Sequence, residues 1–593
     1  MYKLSRIDRS RVRFEALRRK INTILVVLFV LLLTSLTAQY GFHVEAVWVH
    51  RLEAFDVFVL LFFIGQQAVK LLFAPDRRIF FRERRLEFAL TGTVLLLIPL
   101  LALALPWMEA HFPNFASVKL ATVYLALAQF VIILDMALSG IRGGRRIMNM
   151  KIQPARFFIG GFVVAIISGT LALSLPKATT SGITVVDALF TATSAVCVTG
   201  LIVVDTPVAF TMFGHSIILL LVQIGGLGLM TFTTFLILFS DRLSIRERVL
   251  MREFLGRDNL GELRSTLRRI VGMTLIIESI GAVYLYVCWP SASFDATGAR
   301  IFSAVFHSVS AFCNAGFSLF SNSMMDAGVA FNPLLNIGMA SLIVLGGLGF
   351  LTIANITSLR PWRARIIRPG IRLTLHTRLV LVTTGILLAG GTLLFFLLEY
   401  DNTLHELSLS EQIMASFFQS VTARTAGFNT TDIGKLAVPT SLLLMLLMFV
   451  GASPGSTGGG IKTTTAALLF LSAIRQLRGA RAIEVAHRKI PESSVNKAHT
   501  VLLLGLSLLF LSVMLLSLLE SLPLLDIIFE CVSAIATTGL SRGITYDLST
   551  PSKIVLIFSM LIGRVGVLTF MHAVLRPART DRHDYPSESV IVS

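Results

Sequence analysis

Charged side chains are scarce in this chain. Of its 593 residues, 15% are Asp, Glu, Lys or Arg while 54% are hydrophobic, and the mean hydropathy is +0.78. A soluble globular domain needs a charged surface, so the composition excludes that class and indicates a polytopic membrane protein. Cysteine is equally sparse. Cys197, Cys288, Cys313 and Cys531 have neither a pairing pattern nor metal-ligand spacing, so they read as small apolar residues rather than a disulfide framework. The 11 histidines form no group that would serve a membrane-embedded enzyme such as a transferase, the main alternative class. Acidic residues are outnumbered, 34 against 52 basic, for a net charge of +18. The basic residues collect in short segments between apolar stretches, as the positive-inside rule expects, which argues against nucleic acid as the partner. Such loops suit an anionic leaflet or an acidic protein surface.

Residues 1–20 carry eight basic side chains, ending in Arg18, Arg19 and Lys20 directly before the apolar run 21–38. No small-residue cleavage site follows, so a retained anchor helix with a cytoplasmic N-terminus is expected. Further spans are expected at 55–73, 88–107 and 120–139, with basic links at 76–87 and 142–156 alternating correctly between them. Residues 1–150 thus read as a four-span bundle, accessory or regulatory. No segment there sets arginines at every third position within a span, so a voltage sensor is not indicated. Residues 576–593 read as a cytoplasmic tail, too short for a nucleotide-binding module.

What the chain does have is one motif, four times. Thr193-Ser194-Ala195-Val196-Cys197-Val198-Thr199-Gly200-Leu201 is answered by Ser308-Val309-Ser310-Ala311-Phe312-Cys313-Asn314-Ala315-Gly316-Phe317. Ser420-Val421-Thr422-Ala423-Arg424-Thr425-Ala426-Gly427-Phe428-Asn429 and Cys531-Val532-Ser533-Ala534-Ile535-Ala536-Thr537-Thr538-Gly539-Leu540 complete the set. The glycines are 116, 111 and 112 positions apart. Internal repeats fix architecture, here as repeats over 157–240, 270–357, 376–477 and 498–575. Each has a span-length apolar segment, a short amphipathic one and a returning span. The short segments, 184–196, 300–312, 410–424 and 525–536, cannot cross a bilayer and are expected to be re-entrant. Four re-entrant helices around one axis would present rings of backbone carbonyls able to replace the hydration shell of a monovalent cation. Their C-terminal dipoles would add negative potential. Glycine suits a backbone whose conformation a Cβ would obstruct. One Gly-Leu or Gly-Phe pair after a helix is only a C-cap; four at near-equal spacing select a filter. All four repeats point the same way, which disfavours an alternating-access carrier built from inverted repeats.

The returning spans differ. Gly225-Gly226-Leu227-Gly228 and Gly346-Gly347-Leu348-Gly349 lie midway along the first two and permit close helix approach. The third reads Gly451-Ala452-Ser453-Pro454-Gly455-Ser456-Thr457-Gly458-Gly459-Gly460-Ile461-Lys462, too rich in Gly and Pro to stay helical. It is no phosphate-binding loop, since Ile461 separates Gly460 from Lys462 and the setting is a membrane hairpin. The fourth carries Arg564, about a dozen residues from either end of its apolar span. A charge there is expensive and functional by default. Arg564 and Lys462 are expected to raise an electrostatic barrier to cations. Arg424 is expected to brace its turn through backbone carbonyls or a carboxylate such as Glu530 or Asp187.

Residues 157–575 resemble the Trk/Ktr/HKT superfamily of potassium transporters, most of all its Ktr-type membrane subunit. The resemblance implies a filter at Val198-Thr199-Gly200-Leu201, Asn314-Ala315-Gly316-Phe317, Thr425-Ala426-Gly427-Phe428 and Thr537-Thr538-Gly539-Leu540. It implies an intramembrane gate at 451–461, facing Arg564. Relatives that favour sodium carry serine at the first filter glycine, so Gly200 implies potassium, with sodium coupling left open. Each loop keeps little of a true potassium channel's filter sequence, which implies looser selectivity. Also implied are the cell membrane as location, a homodimer, and a cytosolic ring of regulatory subunits that alone would carry nucleotide. The basic loops 241–269 and 475–497 are the expected docking surfaces.

Overall fold

The computed structural model describes most of residues 21–73, positions 88, 92 and 294, and residues 154–239, 261–290, 297–325, 330–357 and 373–575. The spans expected at 88–107 and 120–139, the tail 576–593 and most of the basic loop 241–269 lie outside the described residues. The chain divides into two compact units, residues 1–151 with 175–177, and residues 152–174 with 178–593.

In the first unit, α1 (Ala46–Leu72) has 27 residues and begins earlier than hydropathy indicated. At about 1.5 Å rise per residue it is long enough to cross a bilayer. Its buried Asp56 accepts hydrogen bonds from Ser35 Oγ (2.8 Å) and Gln39 Nε2 (2.6 Å), so the polar group inside an apolar span is partnered.

Among its described residues, the second unit is built of helices and one small hairpin. Repeat one has α2 (Pro154–Leu173), α3 (Val185–Cys197) and α4 (Met212–Phe239). Repeat two has α5 (Gly261–Cys288), α6 (Thr297–Cys313), α7 (Pro333–Leu348) and α8 (Phe350–Thr357). Repeat three has α9 (Leu375–Glu399), α10 (Leu409–Thr422), α11 (Val438–Phe449) and α12 (Thr463–Leu477). A two-stranded hairpin, β1 (Glu484–Val485) with β2 (Arg488–Lys489), follows. Repeat four has α13 (Glu492–Leu519), α14 (Leu524–Ala536), α15 (Thr550–Val565) and α16 (Val567–Val574). Local chemistry sets the starts. Thr184 accepts from the Asp187 N–H ahead of α3, Ser408 and Glu411 form a capping box ahead of α10, and α7, α11 and α15 have proline in the first turn.

Besides repeat three's, two returning spans are broken that were expected to be continuous. Residues 332–357 and 552–574 each read as one helix, but α7–α8 and α15–α16 each bend by 99°. The bends fall at Gly349 (φ 85°) and Gly566 (φ 91°), a left-handed conformation that ends a helix and favours glycine. Hydropathy is blind to this, because the apolar run continues through the bend.

The chain links repeat one to two, two to three and three to four, but four meets one only through noncovalent contact. That seam holds a shared apolar core, with Phe158, Phe190 and Val222 of repeat one packed with Cys531, Leu556 and Met560 of repeat four. Two polar stitches accompany it. Lys553 Nζ lies 2.7 Å from Asp187 Oδ1, the side chains 13% and 16% exposed, and Arg156 Nε donates to the Ala573 carbonyl at 2.7 Å. Lys553→Met would strand the Asp187 carboxylate. A fully buried stranded charge costs about 3–5 kcal/mol; this pair keeps some solvent, so the loss is expected below that range. Thermal unfolding in detergent should show a lower midpoint for Lys553→Met, with part of the loss restored by adding Asp187→Leu. An unchanged midpoint in the single variant would count the pair as idle.

Candidate functional site

The four glycine motifs share a backbone conformation. The residue two before the glycine has positive φ in every repeat: Val198 55°, Asn314 59°, Thr425 83°, Thr537 51°. So does the glycine: Gly200 91°, Gly316 70°, Gly427 80°, Gly539 91°. Left-handed geometry costs a non-glycine residue roughly 1–2 kcal/mol, so these turns persist only where something holds them. A serine does so. Ser194 accepts the Thr199 N–H at its carbonyl (2.8 Å) and the Gly200 N–H at its hydroxyl (3.0 Å). Ser533 does the same for Thr538 (2.9 Å) and Gly539 (3.0 Å), and Ser310 Oγ donates to the Phe317 carbonyl at 2.8 Å. Each of these serines stands six residues before its glycine, inside the repeated motif, and its bracing role shows only in the fold.

The glycines meet one another. A Cβ built on Gly200 would lie 2.5 Å from the Ala315 carbonyl oxygen and 3.0 Å from Gly316 Cα. On Gly316 it would lie 2.8 Å from the Ala426 oxygen and 3.3 Å from Gly200 Cα. On Gly427 it would strike the Thr538 oxygen, and on Gly539 the Thr199 oxygen. The relation runs one to two to three to four and back to one: a closed ring with no space for a side chain. A cavity of about 220 Å³ opens on one side of it, bounded by all four glycines and by Asp205, Asn429, Asp432 and Arg542 among others. Arg542 ties repeat four to repeat three there. It pairs with Asp526 and donates to Ser441 Oγ (2.7 Å) and to the carbonyls of Ile433 (3.3 Å) and Gly434 (3.2 Å). Nothing in the sequence singled it out.

The glycine-rich segment of repeat three does break its span, between Phe449 and Thr463. It lies against the ring: a Cβ on Gly458 would strike the Thr425 hydroxyl, and one on Gly459 the Thr537 hydroxyl. It also fills the bend of repeat two. Ser453 N–H donates to Gly347 O (3.0 Å), Thr457 N–H to Gly346 O (3.3 Å), Thr457 Oγ1 to Phe312 O (3.1 Å), and Phe350 N–H to Gly455 O (3.0 Å). Backbone groups freed at membrane depth by unwinding two helices are therefore satisfied by each other. Gly346 and Gly349 do more than allow helix packing. Gly346 sits against the Phe312 carbonyl, and Gly349 makes the bend that receives the loop.

Arg564 is 3% exposed and donates to the Thr457 and Gly225 carbonyls, joining the loop to repeat one's returning helix. It stands in the last turn of α15, not mid-helix as the apolar run suggested, because Gly566 bends the span two residues later. Lys462 turns back on its own loop, donating to Gly458 O at 2.7 Å. Arg424 departs from expectation. Its guanidinium donates to Thr384 Oγ1 at 3.5 Å, while Asp187 pairs with Lys553 and Glu530 accepts from Ser541 and Thr545. Beside the ring, the buried hydroxyls of Thr199, Thr537 and Thr538, and Ser456 in the loop, have no hydrogen-bond partner.

Residues 158–578 match the TrkH family, described as cation transport proteins. The chain belongs to this family. It is 40% identical over 440 residues to Ktr system potassium uptake protein B of Vibrio alginolyticus, covering 74% of this chain and 94% of that protein. It is 34% identical over 455 residues to potassium/sodium uptake protein NtpJ of Enterococcus hirae, covering 75% and 98%. The crystal structure of the potassium transporter TrkH from Vibrio parahaemolyticus shares the fold, with a TM-score of 0.60 at 20% identity over 83% of this chain and 97% of that one. Membership in the TrkH family makes this chain a multi-pass membrane transporter and not an enzyme. The match begins where repeat one begins.

Proposed function

We propose that this protein carries potassium into the cell through the ring of four glycine motifs, with Val198–Leu201, Asn314–Phe317, Thr425–Phe428 and Thr537–Leu540 as one selectivity filter. The ring carries this reading: four backbones approach so closely that only their carbonyls and hydroxyls can face an axis. A dehydrated monovalent cation needs such oxygens. The unpartnered hydroxyls of Thr199, Thr537 and Thr538 fit it, since a buried hydroxyl without a partner costs about 1–3 kcal/mol unless something occupies the site. Potassium is favoured by the names of the relatives and by glycine at position 200.

In this reading the loop from Gly451 to Lys462 is the gate, and Arg564 is the charge that holds it shut. Sodium accompanies potassium or drives it, as the name of the Enterococcus relative suggests. Residues 1–150 form an accessory bundle, both termini are cytoplasmic, and the membrane unit pairs with a second copy. A cytosolic nucleotide-binding ring docks on the basic loops 241–269 and 475–497. Purified protein in liposomes should accumulate rubidium down an imposed potassium gradient, and potassium should compete more strongly than sodium. Absence of uptake, with the protein folded and inserted, would refute transport.

A further inference from the structure

One position on the short helices recurs in all four repeats. Nine residues before the glycine stand Thr191 in repeat one, His307 in repeat two and Glu530 in repeat four. In repeat three the corresponding position is one residue nearer the glycine, at Gln419, eight before. All four are at most 1% exposed. Three of them reach across to the chain that leaves the glycine.

His307 donates from Nδ1 to the Ser303 carbonyl (2.8 Å), which makes Nε2 an acceptor. Nε2 then receives the Ser318 hydroxyl (3.1 Å) and the Leu319 N–H (3.4 Å). The Gln419 amide, with its oxygen turned toward the donors around it, accepts the N–H groups of Thr430 and Thr431 (3.2 Å each) and the Thr431 hydroxyl (2.9 Å). Glu530 Oε1 accepts the Ser541 hydroxyl and that of Thr545 (3.0 Å). Imidazole nitrogen, amide oxygen and carboxylate oxygen thus do one job, each as a buried acceptor behind the turn. Thr191 does not share it. Its hydroxyl donates to the Asp187 carbonyl of its own helix at 2.8 Å.

We propose that His307, Gln419 and Glu530 are positioning residues for ion selectivity, three struts that fix the outer end of the filter in repeats two to four and leave repeat one without one. This rests on the reading of the glycine ring as a filter. The residues they grip follow the glycines by two to six positions, and Ser318, Ser541 and Thr545 line the cavity directly above them. A carbonyl ring discriminates between ions by spacing, and a spacing held by strained turns is only as sharp as the groups that support them. Removing the acceptor leaves the turn free to relax and its buried donors unpaired.

The test compares potassium and sodium as competitors of rubidium uptake in liposomes. Glu530→Ala and Gln419→Ala should each lower the preference for potassium by about threefold or more, as loosening a support by about 1 Å degrades a site. Glu530→Gln should keep the wild-type ratio, since an amide already serves in repeat three. Thr191→Val, at the same helix position without the reach, should leave the ratio unchanged. Should Glu530→Ala fail to fold, Gln419→Ala carries the same comparison. A wild-type ratio in a folded alanine variant, or an equal shift in Thr191→Val, would overturn the struts. Wild-type protein that takes up no rubidium would instead overturn the transport reading beneath them.

Discussion

Replacing Gly200 by serine should lower the preference for potassium over sodium by about tenfold or more, because it acts on the spacing of the carbonyl ring itself. Two costs coincide. The backbone at Gly200 has φ 91°, where a side chain adds roughly 1–2 kcal/mol of strain. The new Cβ would also lie 2.5 Å from the Ala315 oxygen and 3.0 Å from Gly316 Cα. Both are backbone atoms, so no flexible side chain can give way, and repeat two must move outward. Gly182 provides the control: it also has positive φ (86°) but nothing within 4 Å of a built Cβ. Gly182→Ala should therefore pay strain alone and keep wild-type selectivity. The measurement is competition of potassium and sodium against rubidium uptake. If Gly200→Ser and wild type discriminate equally, repeat one contributes nothing to the filter.

Arg564→Ala should raise potassium flux by on the order of tenfold, equivalent to ~1.4 kcal/mol off the barrier. The substitution takes away a positive charge beside the proposed path and frees the loop at Thr457 and repeat one at Gly225. Arg564→Lys separates these effects. An ammonium keeps the charge but lacks the planar fork that reaches two carbonyls at once, so flux should fall between wild type and alanine. Radiotracer uptake at matched protein density decides it. Unchanged flux and unchanged regulation in Arg564→Ala would remove this residue from the gate.

The glycine motifs and short helices were legible because each is specified locally. The segment expected at 184–196 is observed as Val185–Cys197, and 525–536 as Leu524–Ala536, since the Thr184 cap or Pro523 marks the start and a glycine motif the end. The loop after Phe449 was legible because proline and clustered glycine defeat any helix. The bends at Gly349 and Gly566 were not, because one glycine in a long apolar run costs only about 1 kcal/mol in a helix and reads as packing. What makes Gly349 a bend is the loop of repeat three, more than a hundred residues away, supplying partners for the freed backbone. Arg424 misled for the same reason: Glu530, offered as its partner, is claimed by Ser541 and Thr545, which lie beyond the turn of another repeat. Tertiary partners of polar groups are not written in the residues that flank them.

The seating of the loop in the bend of repeat two has an energetic corollary. Lifting it away strips partners at once from the Phe350 N–H and from the carbonyls of Gly346, Gly347 and Phe312. Left dry, each of those groups costs about 1–3 kcal/mol, which would forbid the displaced state outright. Water must therefore replace the loop, donor for donor, as it leaves. If the loop is the proposed gate, its opening is a hydration equilibrium, and solutes that draw water out of the space it occupies should favour the closed form.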